Sequence, residues 1–99
     1  MAKLGSVAQK VRSKNAGPFW LTIDIFCGDG PAFDRITAVP TDNVAALFKV
    51  PTDQLKRFEI PSLNVVKFSL PRPVVQGMAA DRDMHGAGWA VLLEEMDIG

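Results

Sequence analysis

The sequence has no tyrosine, one histidine and one cysteine. A lone cysteine, Cys27, cannot close an internal disulfide, and it fits a reducing, cytoplasmic compartment. One histidine and one cysteine do not make the ligand set of a zinc site, so no metal is expected. No base stands near Cys27 in sequence to make it a nucleophile. Charge of one sign is also missing: eleven basic and eleven acidic residues cancel. With no global field, neither nucleic acid nor an anionic membrane is expected as a partner. No apolar run approaches the ~18 residues needed to span a bilayer. The start "MAKLGS" has no apolar core, so no signal peptide is expected. Neither "GDG" nor "GAG" has the spacing of a phosphate loop, and no cofactor is expected.

What is present suits one small globular domain spanning residues 1–99, with 47% hydrophobic and 22% charged residues. "LGSVAQKV" (4–11) alternates loosely and reads as a first strand. Gly17 and Pro18 then punctuate the chain. Residues 19–27 form the clearest strand: Phe19, Leu21, Ile23 and Ile25 on one face, Trp20, Thr22, Asp24 and Phe26 on the other. "CGDGP" is a turn cluster, and "AFDRITA" predicts one helical turn. Thr41 is expected to cap a helix carrying Val44, Leu47 and Phe48 on one face, which ends before Pro51. Thr52 opens a short turn through Leu55. "KRFEI" and "NVVKFSL" read as strands around the "PS" turn. A last helix is expected from about Asp83 to about Glu95, with His85, Trp89, Leu92 and Met96 on a stripe and Leu93 beside it. "MDI" adds a possible short strand. Leu47, Phe48, Phe58, Phe68, Trp89, Leu92 and Ile23 are the expected core. The order β-β-α-β-β-α implies an α+β fold. It is close to a ferredoxin-like split βαβ sandwich, with an antiparallel-rich sheet, helices on one face and an added N-terminal strand.

Two polar segments hold most of the recognition chemistry. "RSKNAGPF" (12–19) places two cations, a hydroxyl, an amide, a glycine and a proline within eight positions. Arg12 can fork onto a carboxylate or phosphate, Lys14 adds a point charge, and Ser13 and Asn15 donate hydrogen bonds. Gly17 permits close backbone approach, and Pro18 fixes the exit. The same composition also serves a polar hairpin turn. In "PRPVVQGMAADRD" (71–83), Arg72 stands between two prolines that stiffen its backbone. Asp81 and Asp83 either cap the last helix or position a guanidinium. His85 on the apolar stripe reads as packing.

The segments "RSKNAGPF", "FEIPSL", "PRP" and "DRD" resemble a small bacterial family named only as a domain of unknown function, DUF4387, over nearly the whole chain. Arg12, Ser13, Lys14, Asn15, Gly17, Pro18, Arg72, Pro73, Asp81 and Asp83 match its pattern, whereas Met78 and "GAGWAV" around Gly88 depart from it. The layout is also similar to the ferredoxin-fold C-terminal domain of AtuA-like proteins of acyclic terpene utilisation. That resemblance implies a small subunit or accessory domain of an AtuA-like large chain in carboxylic-acid or acyl-CoA catabolism. It assigns no catalytic residue. The expected ligand-binding set is Arg12, Ser13, Lys14, Asn15, Gly17, Arg72, Asp81 and Asp83, facing a carboxylate or acyl-CoA. A stand-alone hydratase or lyase of a hydroxy acid, with Asp83 or His85 moving a proton, and an assembly module without ligand stand as alternatives. Exposed aromatics on the second strand further imply a homo-oligomer or a complex.

Overall fold

The computed structural model describes residues 2–16, 20–71 and 88–98. Its elements are α1 (Leu4–Val7), β1 (Lys10–Asn15), β2 (Trp20–Phe26), α2 (Gly30–Thr37), α3 (Thr41–Phe48), β3 (Lys56–Ile60), β4 (Val65–Pro71) and α4 (Gly88–Glu94). The four strands form one sheet in the order β1-β2-β4-β3, and every neighbouring pair is antiparallel. The protein is therefore an α+β fold on an open antiparallel sheet. Because β2 and β3 both oppose β4, they run parallel to each other, and α2 and α3 connect them across the strand between.

The inner face of the sheet follows from alternation. Leu21, Ile23 and Ile25 of β2 and Val66, Phe68 and Leu70 of β4 are all buried. Each sits two residues from the next, which puts them on one side of the pleat. The helices cover that side: α4 packs on β1, α2 on β4, and α1 bridges α2 and α4. Phe48 of α3 and Trp89 of α4 meet edge to face, with ring centroids 6.1 Å apart at 69°. Ile23, Phe48, Phe68 and Trp89 share the core as expected, with Leu47 and Leu92 half-buried against it. Phe58 does not join them and is 49% exposed. It lies on edge strand β3 opposite Lys67, on the side of the sheet that none of the described helices covers, hereafter the uncovered side.

The expected strand at 4–11 is corrected. Leu4, Val7 and Ala8 follow the i, i+3, i+4 spacing of a helix, and residues 4–7 form one. Gly5 allows the close approach of α4, since a Cβ there would lie 2.9 Å from that of Glu94. The strand starts instead at Lys10 and runs through Asn15, into the segment expected as a loop. Further on, α2 spans eight residues rather than one turn. Asp29 caps it, its Oδ1 accepting from the Ala32 amide at 2.8 Å, with a proline in the first turn. In α3, Pro40 rather than Thr41 takes the cap position, in an extended conformation, and no side chain caps the helix. Its end is set by Lys49 at φ 57°, whose amide donates to the Ala45 and Ala46 carbonyls. The "PS" turn and the turn after Pro51 are single 3₁₀ turns.

Two ties close the domain. Arg57 reaches back from β3 to the end of α2, where Nη1 donates to the Val39 carbonyl at 2.6 Å and Nη2 to that of Thr37 at 2.5 Å. Its guanidinium stands 5.9 Å from the Phe68 ring centroid, and Glu59 accepts from its Nε. The second tie joins the two ends of the chain. The Leu4 amide donates to Met96 and the Ile98 amide to Ala2, both at 2.8 Å. The expected strand at "MDI" is thus one bridge, Lys3 with Asp97. Glu95 accepts from Lys3 Nζ at 2.6 Å, and this bond holds the lysine ammonium above its usual pKa.

Candidate binding face and sheet end

Alternation along β1 splits the first polar segment between two sides of the sheet. Arg12 and Lys14 are exposed and pair with Asp24 and Thr22, whose side chains point away from the helices. Ser13 pairs with buried Ile23 and faces the helices, where its Oγ accepts from the Ala90 amide at 3.0 Å. Ser13 therefore holds the first turn of α4, as a capping residue supplied from another element. Its role is positional, and it stands on the opposite side from Arg12 and Lys14.

The register shows where the segment leaves the sheet. The Ala16 amide donates to the Trp20 carbonyl at 2.8 Å, and Trp20 pairs with Pro71 at the end of β4. The exits of β1 and β4 thus lie at the same end of the sheet, on either side of the start of β2. Lys14 is one cross-strand row from that end and Arg12 two rows. Gly17, Pro18, Arg72, Pro73, Met78, Asp81, Asp83 and His85 lie outside the described residues, as does the Asn15 side chain.

The uncovered side of the sheet carries more chemistry than the sequence segment suggested. Lys10, Arg12 and Lys14 line β1, and cross-strand partners add Lys67 and Lys56. Asp24 sits among them, between Arg12 and Lys67. Two shallow depressions open here and share Arg12 and Phe26; one extends to Gln9 and Lys10, the other to Lys14 and Asp24. Trp20, Phe58 and Ile60 stand exposed on the same side. Lys10, Lys56 and Lys67 were not singled out in the sequence. Their signal was the i, i+2 spacing of Lys10, Arg12 and Lys14, but only the register joins β1 to β4 and β3.

Acid–base and metal chemistry are sparse here. Among the described residues, no group of three His, Cys, Asp or Glu side chains could hold a metal. Cys27 is buried, and burial, with a lesser contribution from Asp29, pushes its thiol pKa up. A thiol held protonated is a poor nucleophile. Among the described residues the buried Thr22 Oγ1 and Trp89 Nε1 have no hydrogen-bond partner. None of the described helices is long and apolar enough to cross a membrane.

A family model described as a domain of unknown function, DUF4387, matches residues 4–97. No curated protein and no solved structure matches the chain.

Proposed function

Since the chain belongs to the DUF4387 family, for which no reaction is defined, we propose a function from its geometry: a small accessory subunit that completes an anion site in a larger chain. The larger chain is an AtuA-like protein, and the ligand is a carboxylate or acyl-CoA thioester. The observation that carries this reading is the pairing of Trp20 with Pro71. It puts the described ends of β1 and β4 at the same end of the sheet, with the start of β2 between them, and we propose that the polar segments continuing from those ends converge there. Lys14 and Lys56 each stand one cross-strand row from that end, and Arg12 follows one row behind Lys14. A fork-shaped guanidinium and an ammonium brought to one end of the sheet would suit a carboxylate, with Asp81 or Asp83 orienting the arginine.

Calorimetric titration with short-chain hydroxy acids and CoA thioesters, with the larger chain present, tests this. Arg72→Ala is expected to weaken binding by roughly tenfold to a hundredfold while leaving the melting temperature unchanged. Arg72→Lys should restore little, because the paired fork is lost. Unchanged affinity in Arg72→Ala and Lys14→Ala would refute the anion site.

A further inference from the structure

Although the chain is neutral as a whole, the charges of the described residues are spread unevenly over two sides. Five cations and one carboxylate, Asp24, share the uncovered face of the sheet. Carboxylates gather on the other side and its margins: Asp42 in the first turn of α3, Asp53 in the turn that follows, Glu94 and Glu95 at the end of α4. The basic face is not uniformly polar. Phe58 and Ile60 on β3 stand exposed, and Leu63, just beyond in the turn to β4, is 67% exposed. Apolar side chains therefore gather toward the Ile60 end of β3, beyond Lys56, and cations line the β1 edge.

We propose that this face is the docking surface for a different protein, one presenting an apolar patch beside a cluster of aspartates and glutamates. The inference rests on the accessory-subunit reading and names the surface that would serve it. Charge complementarity selects the occupant. A second copy seated face to face would set five cations against five, because a two-fold contact opposes each patch to itself. Seating the helical side of a second copy here would satisfy the charges, but such a head-to-tail contact closes only as a ring and otherwise grows into a filament. Nucleic acid fits less well. Asp24 stands in the middle of the cations, and Trp20 and Phe58 lie two strands and two rows apart, too far to stack successive bases. Ile60 and Leu63 have no ring to offer a base, but they suit a dry protein contact with a charged rim.

Zero-length carbodiimide coupling in an extract of the producing cells, followed by peptide mapping, tests this, because the reagent joins a lysine only to a carboxylate in contact with it. Lys10, Lys56 and Lys67 of the full chain should be joined to Asp or Glu residues of one other protein. Coupling should fall at least tenfold in Lys56→Glu/Lys67→Glu and in Phe58→Ser, with unchanged melting temperatures, and should fall as salt is raised. Coupling through Lys3 or Lys49 alone would overturn the assignment of the face and leave the accessory reading standing. Coupling only to another copy would overturn the choice of occupant, and so would retention of a uridine oligonucleotide that the same variants abolish. No coupling to any other protein would overturn both readings.

Discussion

Ser13 and Ala90 are separated by 77 positions, yet the serine hydroxyl accepts the alanine amide at 3.0 Å. The bond fixes the start of α4 on β1, so a residue in a segment expected to grip ligand is also a helix anchor. Ser13→Ala should lower stability by about 1 kcal/mol, the typical effect of losing a cap. Ser13→Thr should keep most of it. Chemical denaturation of the three proteins measures the difference, and equal midpoints would show that the bond contributes nothing.

Trp89 and Phe58 should behave in opposite ways. Trp89 is buried against Phe48, so Trp89→Ala should cost ~3–5 kcal/mol, a large share of what a domain of this size holds. Phe58→Ala removes a half-exposed ring and should stay within about 0.5 kcal/mol. Urea melts of both variants provide the comparison. A costly Phe58→Ala would mean that this ring is covered in solution.

Arg57 gathers two backbone carbonyls at the end of α2. Charge-assisted bonds of this kind contribute roughly 1.5–3 kcal/mol. Arg57→Ala should destabilise by that order, and Arg57→Lys should recover only part of it, since one ammonium cannot span both carbonyls as the fork does. Amide exchange should speed up first at the end of α2. Uniform acceleration across the domain would argue against a local clamp.

Cys27 predicts an alkaline effect. Its thiol pKa is raised in the folded chain, mainly by burial, so the native state keeps its proton where the unfolded state begins to lose it. The unfolded state then binds fewer protons, and stability must fall as pH rises above the thiol's unfolded value. Below that value the thiol is protonated in both states and contributes no slope. Cys27→Ala should flatten the alkaline part of the curve. Native-state alkylation of Cys27 should be slow at neutral pH and fast in denaturant, and rapid native labelling would contradict the burial.

How much of this the sequence disclosed depends on the strength of each period. In β2 and β4, apolar residues at every second position (Leu21, Ile23 and Ile25; Val66, Phe68 and Leu70) identified strands and inner face together. Leu4, Val7 and Ala8 also carried a true period, the helical one, but four residues are too few to separate it from loose alternation. Asp29, ahead of Gly30 and Pro31, was a readable helix start, and reading it only as a turn shortened α2 to one turn. Phe58 was misplaced because a ring on an edge strand looks in sequence like one in the centre. For the candidate site, the cations of β1 were legible, but their union with Lys56 and Lys67 depends on register, which a sequence does not display. Cancelling totals also hid the separation of charge, because net charge says nothing about which face each residue occupies.

The bridge between Lys3 and Asp97 has a practical meaning for handling the protein. It sets the entry and exit of the described chain side by side, next to α1 and α4 and behind the uncovered face. The described ends of the chain therefore emerge in one place, away from the basic face. The same neighbourhood allows the two ends to be joined and the chain reopened in an exposed turn. A short peptide joining the two ends, with a new opening in the exposed turn at Thr52–Gln54, would keep all three strand pairings and the Arg57 clamp. Such a permuted chain would unfold by a different route while presenting the same surface.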